Sequence, residues 1–144
     1  MIIGTELKYE ALRWARGRMG LEGPCGPCVT FSKTDAEHNF QAVFVFSDMN
    51  DYSACVHYAG KPGGHGFSAD FVAAAFDFAF ITLDLSRLTG PTRGSNKIAL
   101  RIAPKFGFIH EGIMRKAFPD GDDCHLFGFL REDYLYHRWR KGKS

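Results

Sequence analysis

A glycine-rich loop that leads into a helix start is the part of the sequence with the clearest chemical meaning. The loop reads Gly60-Lys61-Pro62-Gly63-Gly64-His65-Gly66, and Ser68 follows at a position suited to a helix N-cap. Unpaired backbone N–H groups and the positive end of that helix would face one point, where they would bind an anion. Gly64 and Gly66 would allow its close approach. We expect that anion to be a pyrophosphate.

The loop does not match the two commonest nucleotide-binding loops. It has no Lys-Ser or Lys-Thr pair after its last glycine, as a Walker loop requires, and it lacks the GxGxxG spacing of dinucleotide folds. On its own, it would also suit a connector that binds no ligand. Its interpretation therefore depends on the segments around it.

A second candidate for chemistry is a pair of cysteines. Cys25-Gly26-Pro27-Cys28 spells the thioredoxin tetrapeptide, which in thioredoxin begins a long helix. Here Val29-Thr30-Phe31-Ser32 follows, which favours a strand, so we interpret the match as coincidental. A zinc site that combines this pair with Cys55, Cys124 or a histidine is an alternative, but those two cysteines lack ligand spacing. We expect no metal.

Hydrophobic periodicity predicts the elements that position these residues. The predicted helices are Glu6 to Met19, Ala69 to about Thr82, and one from Asn96 capped by Ser95. The predicted strands are Val29 to Phe31, Gln41 to Phe46, Ser53 to Ala59, Leu88 to Thr92, Phe108 to His110, and His125 to Leu130. The second helix leaves little of its circumference polar, so we expect it to be buried on most sides.

Composition indicates a single domain over residues 1–144. Hydrophobic residues make up 45% of the chain and aromatic residues 15%, with 14 Phe, which favours a packed aromatic core over disorder. The 18 basic residues nearly balance 16 acidic ones, so the net charge of +2 indicates neither nucleic-acid nor membrane binding.

The ends of the chain and its apolar stretches predict a cytoplasmic protein. The longest apolar stretch, Val72 to Ile81, is interrupted by Asp77 and is too short to cross a bilayer, and no signal-peptide pattern follows Met1. A basic cluster near the C-terminus comprises Arg138, Arg140, Lys141 and Lys143. We interpret it as a solvated, frayed end, with a docking patch as the alternative.

Further motifs follow the glycine-rich loop at regular distances. They are Arg87-Leu88-Thr89-Gly90, Ser95-Asn96-x-x-Ala99-Leu100, Phe106-Gly107-Phe108-x-x-Glu111-Gly112, Arg115, Asp120-Gly121, and Asp123-x-x-x-Phe127-Gly128-x-Leu130-Arg131. With the loop, in which Lys61 replaces the usual Gln or Arg, this series resembles the GNAT N-acetyltransferases. It is similar in particular to ribosomal-protein-type and small phage-encoded members. The resemblance covers about Ser53 to Tyr134.

The resemblance implies an α/β (α+β) fold that binds acetyl-CoA. Its central twisted sheet would be mixed, mostly antiparallel and flanked by helices, with a splayed strand pair. Backbone N–H groups of the loop and helix start would hold the pyrophosphate, at Gly64, His65, Gly66, Phe67 and Ser68. The pantetheine arm would lie along the strand before the loop, at Val56, His57, Tyr58 and Ala59.

Two further contacts with acetyl-CoA follow from the same resemblance. Lys61 would add a charge-assisted contact, or it is an exposed loop lysine. Asn96 would contact the cofactor arm or an ordered water, or it stands there only because Asn favours helix starts.

The implied reaction is direct attack of an amine on the thioester, which needs a base and a donor for the thiolate. The tyrosine that many members place on the second helix falls at Ala103, and Pro104 should distort that turn. His57 is the best candidate for the base, unless it is a histidine hydrogen-bonded in or near the core. Tyr58, Ser95 or water would protonate the thiolate. Asp51 and His65 are weaker base candidates.

The acceptor that the resemblance implies would be an amine of a protein N-terminus, of a lysine or of a small molecule. A non-catalytic domain that binds coenzyme A or a partner protein is the alternative, because Ala103 cannot donate a proton and the strand Ser53 to Ala59 has no acidic residue. Tyr134, Tyr136 and Trp139 would suit a homodimer, although core burial explains the first two equally well.

Overall fold

The computed structural model describes residues 2–19, 28–61 and 66–142, which form seven strands and four helices. The strands are β1 (Ile2–Gly4), β2 (Val29–Thr34), β3 (Phe40–Ser47), β4 (Ser53–Gly60), β5 (Arg87–Arg93), β6 (Ile109–Met114) and β7 (Cys124–Leu130). The helices are α1 (Lys8–Met19), α2 (Ala69–Asp77), α3 (Lys97–Phe106) and α4 (Arg131–Gly142), and a π-helical turn, Phe78–Thr82, continues α2.

All seven strands belong to one sheet, in the order β1-β2-β3-β4-β5-β7-β6. Every neighbouring pair is antiparallel except β4 and β5, which are parallel. This confirms the mixed, mostly antiparallel sheet flanked by helices. The pairing of β4 with β5 is confined to Ser53–Cys55 of β4 and Arg87–Thr89 of β5, although both strands continue further. Beyond that point they separate, so the sheet has an opening at its centre.

The two faces of the sheet bury different side chains. Alternate strand residues on one face form an aromatic core with α2, and its largest fully buried members are Phe44, Phe46, Phe71, Phe76, Phe80 and Phe129. On the other face, small residues of α1 pack on Val43 and Val45. Full burial of one such phenylalanine stabilises the fold by about 1.5–3 kcal/mol, so the aromatic face dominates the packing energy.

The helix after the glycine-rich loop begins as the sequence predicts. The Ser68 Oγ accepts a hydrogen bond from the Phe71 N–H at 3.4 Å and so caps α2. The predicted end near Thr82 is also reached, but the last five residues form the π-helical turn, which the Leu83 N–H closes on the Phe78 carbonyl. This turn lets the Phe78 ring pack on Phe31, with 5.4 Å between ring centroids.

The start of α3 corrects the sequence prediction by one residue. Asn96, and not Ser95, is the N-cap, because its side-chain oxygen accepts from the Ala99 N–H at 3.1 Å. The Ser95 hydroxyl instead donates to Asp122. Pro104 does not end α3, which continues to Phe106 because the proline lies in its last turn.

The C-terminal segment also differs from its prediction as a frayed end. It continues as α4 through Gly142, so the backbone of Arg138, Arg140 and Lys141 is helical, whereas Lys143 lies outside the described residues. Tyr134 is only 8% exposed and packs on Phe80. Core burial therefore explains the presence of this tyrosine, which offers no surface to a second copy.

Tyr136 remains exposed, and the Trp139 side chain lies outside the described residues. No periodicity of apolar residues indicated α4, and the three-residue strand β1 was also missed. Across the part of the chain that the structure describes, every helix falls short of the length and apolar character that crossing a bilayer requires.

Candidate functional site

The separation of β4 from β5 opens a groove of about 730 Å³. One wall is β4 from Val56 to Gly60, and the other is the end of β5 with the first turns of α3. The residues that line the second wall are Pro91, Thr92, Arg93, Asn96, Ile98, Ala99 and Ile102. Phe67 and the segment Phe118 to Asp120, which we call the rim, also line the groove. A groove of this size suits a small-molecule ligand.

The free edge of β4 gives this groove a polar wall. On its other side β4 pairs with β3 through to Gly60, but on the groove side its pairing with β5 stops at Cys55. The backbone groups of Val56 to Ala59 on that side therefore have no strand partner among the described residues. An extended ligand could pair with them as an added strand does.

Free backbone donors lie at the start of α2. The N–H groups of the five consecutive residues 66–70 donate no hydrogen bond to another described residue. Unpaired N–H groups at the positive end of a helix dipole are suited to an anion. Gly64 and His65, two of the residues expected there, lie outside the described residues.

The two residues after that gap are held firmly against the sheet. A Cβ on Gly66 would lie 2.1 Å from the Gln41 carbonyl oxygen, so no larger residue fits without moving the loop. The Phe67 ring packs edge-on against Phe44 and Tyr58, at centroid distances of 5.4 and 5.9 Å. Gly66 thus serves packing against β3, a role that the sequence did not indicate.

Lys61 lies away from the groove. Its backbone N–H donates to the Gln41 carbonyl at 2.9 Å, and its exposed side chain lies beside Trp14, His38 and Phe40 in a separate surface depression. A contact of this lysine with a ligand in the groove is therefore a prediction without support from its position.

Tyr58 faces the aromatic core and lines the groove. Its hydroxyl donates to the Ala99 carbonyl of α3 at 3.1 Å, and its ring packs on Phe106. Burial raises the pKa of Tyr58 to about 12, so its hydroxyl stays protonated at neutral pH. The side chain is thus an available proton donor only when it releases the Ala99 carbonyl.

His57 also lines the groove, but strand alternation directs it to the α1 side of the sheet. Burial lowers the pKa of His57 below its ordinary value, and the Asp48 carboxylate opposes this effect. The imidazole is therefore predominantly neutral at pH 7, which is the state that a general base requires.

Ser95 and Asn96 are adjacent but have different surroundings. The Ser95 hydroxyl is exposed, donates to the Asp122 carboxylate at 2.6 Å, and is not among the residues that line the groove. This hydrogen bond is the main reason that the pKa of Asp122 is lowered. Asn96 does line the groove while its side chain caps α3.

The position expected for a catalytic tyrosine belongs to the core. Ala103 is 2% exposed and is part of the aromatic cluster, so it carries no proton donor and does not reach the groove. Any proton donor would therefore have to come from other groups, those that line the groove.

Sequence reasoning missed the rim of the groove. Arg93 at the end of β5 pairs with Asp120 at 2.9 Å and lies within 3.7 Å of Asp122. Its guanidinium carbon is 3.9 Å from the centroid of the Phe118 ring. In the sequence, the turn that contains Asp120 and Asp122 indicates only a loop, because Arg93, the arginine that pairs with it, is distant in sequence.

The three cysteines that the structure describes, Cys28, Cys55 and Cys124, form no disulfide with one another. Cys25 lies outside the described residues, and Cys28 immediately precedes β2, a strand, where thioredoxin would have a helix. Cys55 is half-buried, and burial raises the pKa of its thiol. Within the described ranges, no three residues of the types His, Cys, Asp and Glu are grouped to hold a metal ion.

The strand order, the opening between β4 and β5, and the loop that leads from β4 into α2 define the fold of the GNAT acetyltransferases. No family model matches the sequence. The structure is similar to spermidine N-acetyltransferase SpeG of Vibrio cholerae. Its N152L mutant aligns with a TM-score of 0.75 and 18% identity, over 95% of this chain and 97% of that one.

A second SpeG structure, a complex with manganese ions, gives a TM-score of 0.67 and 23% identity over 76% of this chain and 69% of that one. In sequence, the chain is similar to the uncharacterized N-acetyltransferase YnaD of Bacillus subtilis, with 23% identity over 109 residues and 74% of this chain. The match spans 57% of the length of YnaD.

Proposed function

We propose that this protein is an N-acetyltransferase that transfers an acetyl group from acetyl-CoA to an amine. The observation that carries the proposal is the opening of β4 from β5 directly beside the free N–H groups at the start of α2. One ligand with an extended arm and a phosphate-bearing end would use both features. The similarity to SpeG and YnaD, both named as N-acetyltransferases, supports the same class of reaction.

The residues present fit acetyl-CoA. The pyrophosphate would bind at the backbone N–H groups of Gly66 to Ser68 and of the undescribed Gly64 and His65. The pantetheine arm would lie along the free edge of β4, from Val56 to Ala59. Asn96, which already caps α3, would contact that arm from the opposite wall.

Acetyl-CoA would supply a thioester, and the amine nitrogen would form the amide bond as the carbon–sulfur bond breaks. His57 would accept the proton that the amine loses, because its imidazole is neutral and borders the groove. Tyr58 or water would give a proton to the departing sulfur. We assign no such role to Ser95, whose hydroxyl is bonded to Asp122 away from the groove.

The acceptor class is the open part of this proposal. Protein N-termini, lysines and small amines are all candidates, and the spermidine N-acetyltransferases make polyamines the first acceptors to test. The narrower likeness to ribosomal-protein-type and phage-encoded members, the homodimer and the cytoplasmic location remain predictions.

A coenzyme A-binding domain without catalysis is the second candidate. It is favoured by the buried Ala103, which leaves the groove without the usual donor. Release of free coenzyme A separates the two candidates. When amines are present, an enzyme releases coenzyme A faster than the rate in buffer alone, whereas a binding domain does not. His57→Ala should abolish most of the excess of coenzyme A release over the rate in buffer. His38→Asn, on the exposed turn after β2, is the control.

A further inference from the structure

A buried lysine lies beside the proposed pyrophosphate site. Lys33 in β2 is 4% exposed, and its Nζ donates a hydrogen bond to the Ser68 Oγ at 3.0 Å. Ser68 is the N-cap of α2, so the ammonium reaches the very residue at which the free N–H groups of the helix begin. None of the glycine-rich or downstream motifs includes Lys33.

Among the described residues, no carboxylate lies within ion-pairing distance of Lys33. The acidic residue in the first turn of α2, Asp70, is exposed and not paired with it. The one hydrogen-bond partner that it has among the described residues is a neutral hydroxyl, although an ammonium has three donors. A buried cation is costly unless an anion accompanies it.

The helix increases this imbalance. A cation is stabilised near the C-terminal end of a helix, yet Lys33 lies at the positive end of α2. The cap does not require it either, because Ser68 already accepts a hydrogen bond from the Phe71 N–H. Two positions before Lys33, on the same face of β2, the Phe31 ring packs on Phe71. An apolar side chain would therefore suit this face.

We propose that Lys33 is a phosphate ligand of this protein, supplied by β2 and directed at the pyrophosphate of acetyl-CoA. This inference rests on the proposed function. A multiply charged anion at the start of α2 would compensate both the ammonium and the free N–H groups at once. The N-terminal half of the chain would thereby contribute to cofactor binding. The glycine-rich motif alone indicates only the loop after β4 as the pyrophosphate site.

The test measures the binding of acetyl-CoA by calorimetry and, separately, the turnover of an acetyl donor that has no phosphates. Lys33→Met removes the charge but keeps the length of the side chain, and it should weaken acetyl-CoA binding by about 10- to 100-fold. Lys33→Arg should retain most of the affinity. Turnover of S-acetylpantetheine, which has no pyrophosphate, should be equal in wild type and Lys33→Met. Lys105→Met, on the exposed end of α3, is the control for loss of one positive charge.

Thermal unfolding without ligand distinguishes a structural lysine from a ligand-binding one. Lys33→Met should be at least as stable as wild type, because an uncompensated buried charge is removed. Lys33→Gln serves as a second variant if Lys33→Met does not fold. Unchanged acetyl-CoA affinity in the soluble variant would overturn the role of Lys33 alone. A turnover of S-acetylpantetheine that falls by as much as the affinity for acetyl-CoA would also overturn it. A wild type that binds no acetyl-CoA would overturn the proposed function as well.

Discussion

The Tyr58 hydroxyl donates a hydrogen bond to the Ala99 carbonyl and so ties β4 to α3 across the groove that separates β4 from β5. The two residues are 41 positions apart in sequence. This bond fixes the distance between the walls at the place where the strands no longer pair. It also occupies the phenolic proton that the proposed reaction would need.

Tyr58→Phe separates these two roles. Loss of the hydrogen bond should lower the free energy of unfolding by about 1 kcal/mol. If Tyr58 also protonates the thiolate, kcat should fall by about 100-fold or more with little change in KM. Tyr9→Phe, on an exposed residue of α1, is the control. A lower melting temperature with unchanged kcat would make Tyr58 a packing residue only.

The stability of the protein should fall at high pH because of the same tyrosine. Its pKa is raised by burial to about 12, against an ordinary value of 10.0. The folded state therefore favours the protonated phenol, and this contribution is complete below pH 10 and is lost as the pH rises from 10 towards 12. Urea unfolding across this range should show the decline in wild type and a smaller one in Tyr58→Phe. Identical declines would contradict the assignment.

His57 should control the acidic limb of the pH–rate profile. Burial lowers its pKa below 6.5, so kcat/KM should fall only at pH values below 6.5. Stability linked to the same group is complete above pH 6.5 and is lost as the pH falls through the lowered pKa. His57→Ala should reduce kcat by about 10²–10⁴-fold and remove the limb. A variant that keeps both the rate and the limb would assign the base to another group.

Gly66 should tolerate no side chain. Gly66→Ala would place a Cβ against the Gln41 carbonyl, so the loop must move and its N–H groups lose their alignment. We expect acetyl-CoA to bind about 10- to 100-fold more weakly, measured by calorimetry. Gly112→Ala is the matched control, because a Cβ there meets nothing within 4 Å. Equal affinities in the two variants would show that the loop does not hold the ligand.

Asn96 caps α3 and has a proposed contact with the ligand, and one pair of variants distinguishes these two roles. Asn96→Ala removes the cap of α3 and should destabilise the protein by about 1 kcal/mol. Asn96→Asp keeps a capping oxygen but changes the amide that borders the groove, so its stability should stay near that of wild type while acetyl-CoA affinity falls. Wild-type affinity in Asn96→Asp would reduce Asn96 to a helix cap.

Local sequence patterns anticipated most elements of the fold and missed those that depend on distant partners. Ser68 and the strand before the glycine-rich loop were predictable, because the cap and the alternation of apolar residues are local signals. At Ser95 and Asn96 two capping residues stand side by side. Asp122, 27 positions away from Ser95, accepts from Ser95 and leaves the cap to Asn96.

The candidate site shows the same limit. Lys33 lies two residues beyond the predicted strand Val29 to Phe31 and in no motif, and its burial beside Ser68 depends on α2, which is 35 positions away in sequence. α4 has little apolar periodicity, yet Tyr134 secures its first turns by packing on Phe80. Such contacts join residues that are tens of positions apart, so no local pattern contains them.

Thermal unfolding during a titration with acetyl-CoA tests the central claim most directly, with NADH and ATP as controls for general anion binding. At about a hundredfold excess over Kd, binding should stabilise the folded state by about 2.7 kcal/mol, which raises the melting temperature by several degrees. We predict a saturable rise in melting temperature that is specific to acetyl-CoA. No rise at millimolar concentration, or the same rise with ATP, would contradict it.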